Sequence, residues 1–233
     1  MSRSARWIVV SVALALVVVL LAPFVYSELT EGRTPPPLGL QTPGEPSLDV
    51  DPPAPGAFDA DGRWAVNPGS AAGFRAELLD VPEGDAEVVG TTDDVTGSVE
   101  VRDGEVVRAT VENRTATLTT GDAEQDRLVR QVLEVDLNPT ATFALTSPLD
   151  VSALEETTDA VHLEASGTLT LRGETQPVTA ALEAQRSGEG VVVAGAISVR
   201  FSDFGLTLAP SSPVQVDDQG TVEMRLVLAR SGA

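Results

Sequence analysis

The feature that most limits what this chain can fold into is an alternation of apolar and polar residues at period two. Val161, Leu163, Ala165, Gly167, Leu169 and Leu171 form one long apolar row. Val193, Gly195, Ile197 and Val199 form a second, and Val222, Met224, Leu226 and Leu228 a third. Ala141, Phe143 and Leu145 share a face, as do Phe74, Ala76 and Leu78. Successive side chains of a strand point to opposite faces, so each row is the apolar face of a half-buried strand. Turn residues punctuate the intervals as "RDGE", "RGET", "SGEG" and "DDQG". The stretch "GTLTLRGETQPVTA", Gly167 to Ala180, reads as two strands around a tight turn at Gly173. One segment has another period. "GDAEQDRLVRQVL" puts Leu128, Val129, Val132 and Leu133 on one helical face, and Asp122 with Gln125 has the spacing of a capping box. The pattern predicts an all-β domain over 63–233, with about eight antiparallel strands and one short α-helix. Long strands with one apolar face suit a closed barrel or a sandwich.

Two zones precede this domain. "WIVVSVALALVVVLLAPFVY", residues 7–26, carries no charge and has the length of a membrane-crossing helix, about 20 residues. Arg3 and Arg6 precede it, and Glu28 and Glu31 follow. The positive flank belongs in the cytoplasm, so residues 1–6 are expected inside and the bulk outside. The reading is a single-pass signal anchor in the cell membrane with an extracytoplasmic C-terminal domain. The rival is a cleaved signal peptide, whose apolar region usually spans about 7–15 residues. Residues 27–62 contain "TPPPLG", "TPGEP" and "DPPAPG" and are expected to form a disordered Pro-rich linker. Few contacts should cross such a tether, so 63–233 is expected to fold alone.

The reactive residues argue against an enzyme. His162 is the single histidine, mid-strand on the face opposite Leu163, and reads as a surface or wall residue. Cysteine is absent, which removes disulfides and thiolate chemistry. No nucleophile elbow and no phosphate-binding glycine loop appears. Asp217-Asp218 lacks the spaced carboxylates of a calcium loop and reads as a turn. Asn113-Arg114-Thr115 matches a glycosylation sequon. A formal net charge of -20 repels phosphate backbones and argues against a nucleic-acid partner. No catalytic residue, metal or cofactor is expected. The hydrophobic interior remains as the functional element. Aromatics are only 4% of the chain, and Ala165, Gly167 and Gly195 stand beside medium aliphatics, so the inner rows are expected to leave a tunnel. A fully packed interior is the competing expectation.

Four segments, in order, resemble the YceI-like family. "RWAVNPGSAAGF" resembles its opening, and "GDAEQDRLVRQVLEVDLNPTATFALTS" its helix followed by a proline and a strand. "ASGTLTLRGETQPVTA" is similar to the family's "G-x-L-T-[IL]-[RK]-G-[VI]-T-[KR]-P-V", and "VRFSDFGLTL" to its late "S-D-F-G" element. Gly69 stands before Ser70 where the family has an early histidine, and Phe201 directly precedes Ser202 where many members carry a basic residue. The resemblance implies a lipocalin-like barrel whose interior takes a lipid or a polyisoprenoid, quinone-like chain. It makes Phe74, Leu78, Phe143, Leu145, Leu163, Leu169, Leu171, Ile197, Val199 and Leu226 the expected ligand-binding wall. The alternative is a solid barrel acting as a scaffold for another envelope protein.

Overall fold

The apolar rows become strands, and their pairing closes the sheet on itself. The computed structural model describes residues 35–40, 58–79, 86–207 and 215–231. The strands are β1 (Gly62–Val66), β2 (Ala71–Leu79), β3 (Ala86–Thr92), β4 (Val95–Arg102), β5 (Glu105–Arg114), β6 (Thr140–Leu145), β7 (Leu149–Asp150), β8 (Val161–Leu171), β9 (Glu174–Ser187), β10 (Gly190–Arg200) and β11 (Gln215–Arg230). Helix α1 spans Ala123–Leu133 and the one-turn α2 spans Ala153–Glu156. The expected membrane helix, 7–26, lies outside the described residues. Among the described residues no helix is long and apolar enough to cross a membrane.

Neighbouring strands run in the order β1-β4-β5-β6-β8-β9-β10-β11, and β11 pairs back to β1, making an antiparallel ring of eight. Closure leaves few free strand edges, the usual liability of a sheet. Strands β2 and β3 prolong the walls begun by β1 and β4. The last residues of β11 pair with β1 (Leu228↔Val66) and the earlier ones with β2 (Met224↔Ala72). The break between β1 and β2 keeps its hydrogen bonds. Asn67 N–H donates to the Val227 carbonyl, and the Ser70 hydroxyl accepts from Val227 N–H, both at 2.9 Å.

Local chemistry sets the register. Arg172 and Gly173 have φ of 50° and 79°, so β8 and β9 meet through a two-residue turn with Leu171 opposite Glu174. Positive φ at both central residues gives the turn that matches strand twist. Asp103 and Gly104 repeat this between β4 and β5, at 52° and 74°. Asp122 caps α1 as its spacing predicts, accepting from the N–H groups of Glu124 and Gln125 at 2.9 Å. "DDQG" is not a turn between strands. It lies within β11, where the pairing with β2 jumps from Val216↔Leu78 to Gly220↔Ala76. The extra residues form a bulge, in which Asp218 accepts from the backbone N–H and hydroxyl of Ser202 at 2.8 and 2.7 Å.

The barrel has two unlike ends. At the helix end, Arg172 donates to Glu134 at the C-cap of α1 and to the Gly205 carbonyl, both at 2.6 Å. The other end is plugged by residues 58–61. Ala60 is only 3% exposed, its N–H donates to Glu155 at 2.9 Å, and its carbonyl accepts from the Trp64 indole at 2.9 Å. The Asp61 carboxylate accepts from the N–H groups of Asp103 and Gly104 at 3.0 Å. Arg230 donates to the carbonyls of Asp59 and Asp61. Further out, Leu38 N–H donates to Glu223 on the outer wall at 3.2 Å, and Arg225 donates to the Leu40 carbonyl at 3.4 Å. Residues 58–61, the last of the expected linker, are therefore tied into the barrel, while 27–34 and 41–57 of that linker lie outside the described residues. Proline content hid this, because the plug supplies only Phe58 and Ala60 as apolar anchors. A chain beginning at Arg63 is expected to melt below one beginning at Pro35, since it loses both anchors and exposes Trp64. Thermal unfolding of the two truncations measures the difference, and equal midpoints would put the boundary back at 62.

Candidate ligand-binding interior

Inside the plugged half lies a cavity of about 100 Å³. Every described residue lining it is apolar, from Phe58, Ala60 and Trp64 at the plug to Phe143 at mid-barrel. Alternation explains the composition. Leu163 and Ala165 of β8, Leu182 and Ala184 of β9, Val191 and Val193 of β10, and Met224, Leu226 and Leu228 of β11 are all inward positions of their rows. An apolar lining binds without direction, at roughly 25 cal/mol per Å² of buried surface.

The expected wall residues divide between the two halves. Phe143, Leu145, Leu163 and Leu226 line the cavity. Leu169, Leu171, Ile197 and Val199 face inward but pack in the helix half, with Ile197 0% and Phe204 1% exposed. Phe74 and Leu78 are not brought to the cavity. Phe74 pairs with Val222 on the inner face, and its ring lies over Gly90, in the place a Cβ would take. Leu78 is half-buried near the end of β2, opposite Val216.

The inner glycines behave differently from the expectation. They do not leave a tunnel, because neighbouring side chains lie against the wall where a Cβ is missing. Atoms of the Phe143 ring come within 2.5 Å of the Cβ position at Gly167, and the Phe201 ring takes the corresponding place at Gly220. At Gly195 the space belongs to Leu182 and Met224. Each glycine seats a larger neighbour and so fills the barrel. What stays open is the ring of half-buried inward residues Leu145, Leu163, Leu182 and Val193.

The wall beside that ring is incomplete. The β6–β8 ladder ends at Leu145↔Gly167, beyond which Thr146 donates from its N–H at 3.0 Å and its hydroxyl at 3.2 Å to the Ser166 carbonyl. Short β7 pairs with β5 instead, through Glu105 and Val106. Among the described residues, Val161 to Ala165 thus have a ladder partner, β9, on one side only. Leu145, Leu149 and Leu163, all cavity residues, stand along this seam.

Among the described residues, titratable groups are kept out of the lining, with one exception close by. Hydrogen bonds hold four carboxylates below their usual range: Glu100 through Arg102, Asp126 through Thr120, Asp150 through Ser152 and Asp218 through Ser202. None of them lines the cavity. His162 lies on the outer face, 3.2 Å from Glu183. Among the described residues no cluster of side chains could hold a metal ion. The exception is Arg186, the next inward position of β9 after Leu182 and Ala184, and it is only 8% exposed. Its guanidinium lies 5.3 Å from the centroid of the Phe58 ring, itself part of the lining. The inward parity of Arg186 was legible in the sequence, but a charge at that position breaks the apolar row and conceals it. The plug residues Phe58 and Trp64 also join the site, and the row patterns carried no signal for Phe58.

Comparison with known proteins agrees with this architecture. The model of the YceI-like domain matches residues 64–228. A comparison with curated proteins finds no match. Among solved structures, the chain is similar to a polyisoprenoid binding domain from Saccharophagus degradans implicated in plant cell wall breakdown. The TM-score is 0.56 at 15% identity, covering 72% of this chain and 98% of that one. It is also similar to Burkholderia cenocepacia BcnA, with a TM-score of 0.52 at 18% identity, covering 67% of this chain and 95% of that one. At such identities the likeness is one of fold. With the family's domain matched along nearly the whole barrel, this chain belongs to the YceI-like domain family.

Proposed function

We propose that the protein is a membrane-tethered, extracytoplasmic, non-enzymatic binding protein that holds a lipid or polyisoprenoid chain in its barrel. The wholly apolar cavity carries this reading. The uncharged run at 7–26 and the Arg3/Arg6 against Glu28/Glu31 asymmetry support the tether and the orientation. A void of about 100 Å³ is smaller than the roughly 150 Å³ apolar cavity that takes up benzene. A long chain therefore needs the aliphatic ring of Leu145, Leu163, Leu182 and Val193 to change rotamers, and the seam beside β8 is its way in. The solid packing around Ile197 and Phe204 favours a second reading, a scaffold that meets another envelope protein by its outer surface. Full-length protein purified from its host membrane, freed of bulk lipid and extracted with organic solvent, is expected to yield about one chain-bearing molecule per barrel by mass spectrometry. Lipid at the level of an unrelated single-pass protein would leave the scaffold reading.

A further inference from the structure

Among the described residues, Arg186 is the one buried charged side chain at an inward strand position, and it stands beside the cavity. All three of its guanidinium nitrogens are buried, and none has a hydrogen-bond partner there. Such a group is costly to keep, because a buried cation without a counter-charge loses its hydration and gains nothing in return. The guanidinium carbon lies over the Phe58 ring, 5.3 Å from its centroid, a contact that leaves the N–H donors unanswered. The position is fixed from both sides. Arg186 follows Leu182 and Ala184 on the inward face, and its partner across the ladder is Val191, a cavity residue.

We propose that Arg186 is the headgroup site for an anionic amphiphile, with a carboxylate or phosphate held by the guanidinium and a single apolar chain running into the cavity. The inference rests on the reading of the interior as a chain-binding site and adds the chemistry of the ligand's polar end. A planar fork of N–H donors matches a carboxylate or phosphate oxygen pair. A neutral head would satisfy donors but leave the charge buried and unpaired. An anion answers both, so the ligand supplies what the fold withholds. The nearby arginines are already engaged: Arg230 donates to the carbonyls of Asp59 and Asp61, and Arg102 and Arg63 pair with Glu100.

The test compares matched heads on the same tail. Full-length protein in phosphatidylcholine nanodiscs is titrated with palmitate, hexadecanol, farnesyl phosphate and farnesol, and binding is read by native mass spectrometry against empty nanodiscs. Wild type is expected to bind at least one anion about ten-fold or more tighter than its alcohol. Preference for palmitate alone assigns a carboxylate, for farnesyl phosphate alone a phosphate, and for both a general anion site. Arg186→Met is expected to abolish the preference and keep the alcohols' affinity. Arg186→Lys should retain part of the preference. The Met variant without ligand should also melt higher than wild type, because an unpaired buried charge has gone. Equal binding of acids and alcohols by wild type overturns the headgroup site and leaves the chain-binding reading standing. An anion preference that survives in Arg186→Met overturns it too, in favour of a purely stacking role against Phe58. Failure of wild type to bind any of the four overturns both readings. Should Arg186→Met not fold, the wild-type comparison and Arg186→Lys decide.

Discussion

Replacing Trp64 by alanine is expected to cost about 3–5 kcal/mol of stability, the range for removing a large buried aromatic. Trp64 is 3% exposed and is the centre of the plugged end. Its indole N–H is bonded to the Ala60 carbonyl at 2.9 Å, its ring stands 5.9 Å from that of Phe58, and the Arg230 guanidinium lies 4.8 Å from its centroid. The substitution removes the ring, orphans a buried carbonyl and takes away the aromatic face beside Arg230, so the plug loses its main anchor. It also enlarges an existing void, which limits the relaxation that normally softens such a change. Chemical denaturation of wild type, Trp64→Ala and Trp64→Phe measures it. The Phe variant keeps an aromatic ring and loses the N–H donor, so its cost should be about 1 kcal/mol, the typical worth of one hydrogen bond. A loss below about 1 kcal/mol for Trp64→Ala would mean that the end of the barrel collapses onto the gap and that the plug is not a structural part of the domain.

That plug shows what the sequence left unread. The rows of β8, β10 and β11 were legible because each alternates over many residues, and their inward faces are those that line or fill the barrel. The β8–β9 turn and the cap of α1 were legible because both depend on residues close in sequence. The contents of the interior were not legible, since they depend on which residues meet across the sheet. Gly167 looked like space. The β6–β8 register sets it opposite Leu145 and pairs Phe143 with Leu169, and from there the Phe143 ring reaches over Gly167 and takes that space. Phe58 and Ala60 act through contacts with Trp64 and Glu155 that no local pattern announces. Arg186 was readable by parity alone, but its charge contradicts the rule that defined the row.

The second large effect separates the two halves of the barrel by one matched substitution on one strand. Ile197 and Val193 face the same way on β10, opposite Val222 and Leu226 of β11. Val193 lines the cavity and is half-buried, whereas Ile197 is 0% exposed and packs in the filled half. Ile197→Trp is expected to overpack the core and cost about 1–3 kcal/mol, at the upper end because the space around it is already filled. Each kcal/mol lowers the melting temperature of a domain of this size by roughly 2–4 °C. Val193→Trp adds its ring to a space that already exists, so it should melt measurably higher than Ile197→Trp. Binding should change in the opposite sense. The ring at 193 occupies the site of the chain and should sharply reduce the lipid recovered per folded barrel, while the ring at 197 should leave that ratio unchanged. Thermal melting and lipid extraction on the same preparations read both. A stable Ile197→Trp protein that has lost its lipid would show the chain running on past β10 into the helix half, with Leu169, Leu171 and Val199 as its wall. Equal destabilisation of both variants, with no lipid in wild type, would describe a barrel that is solid from end to end.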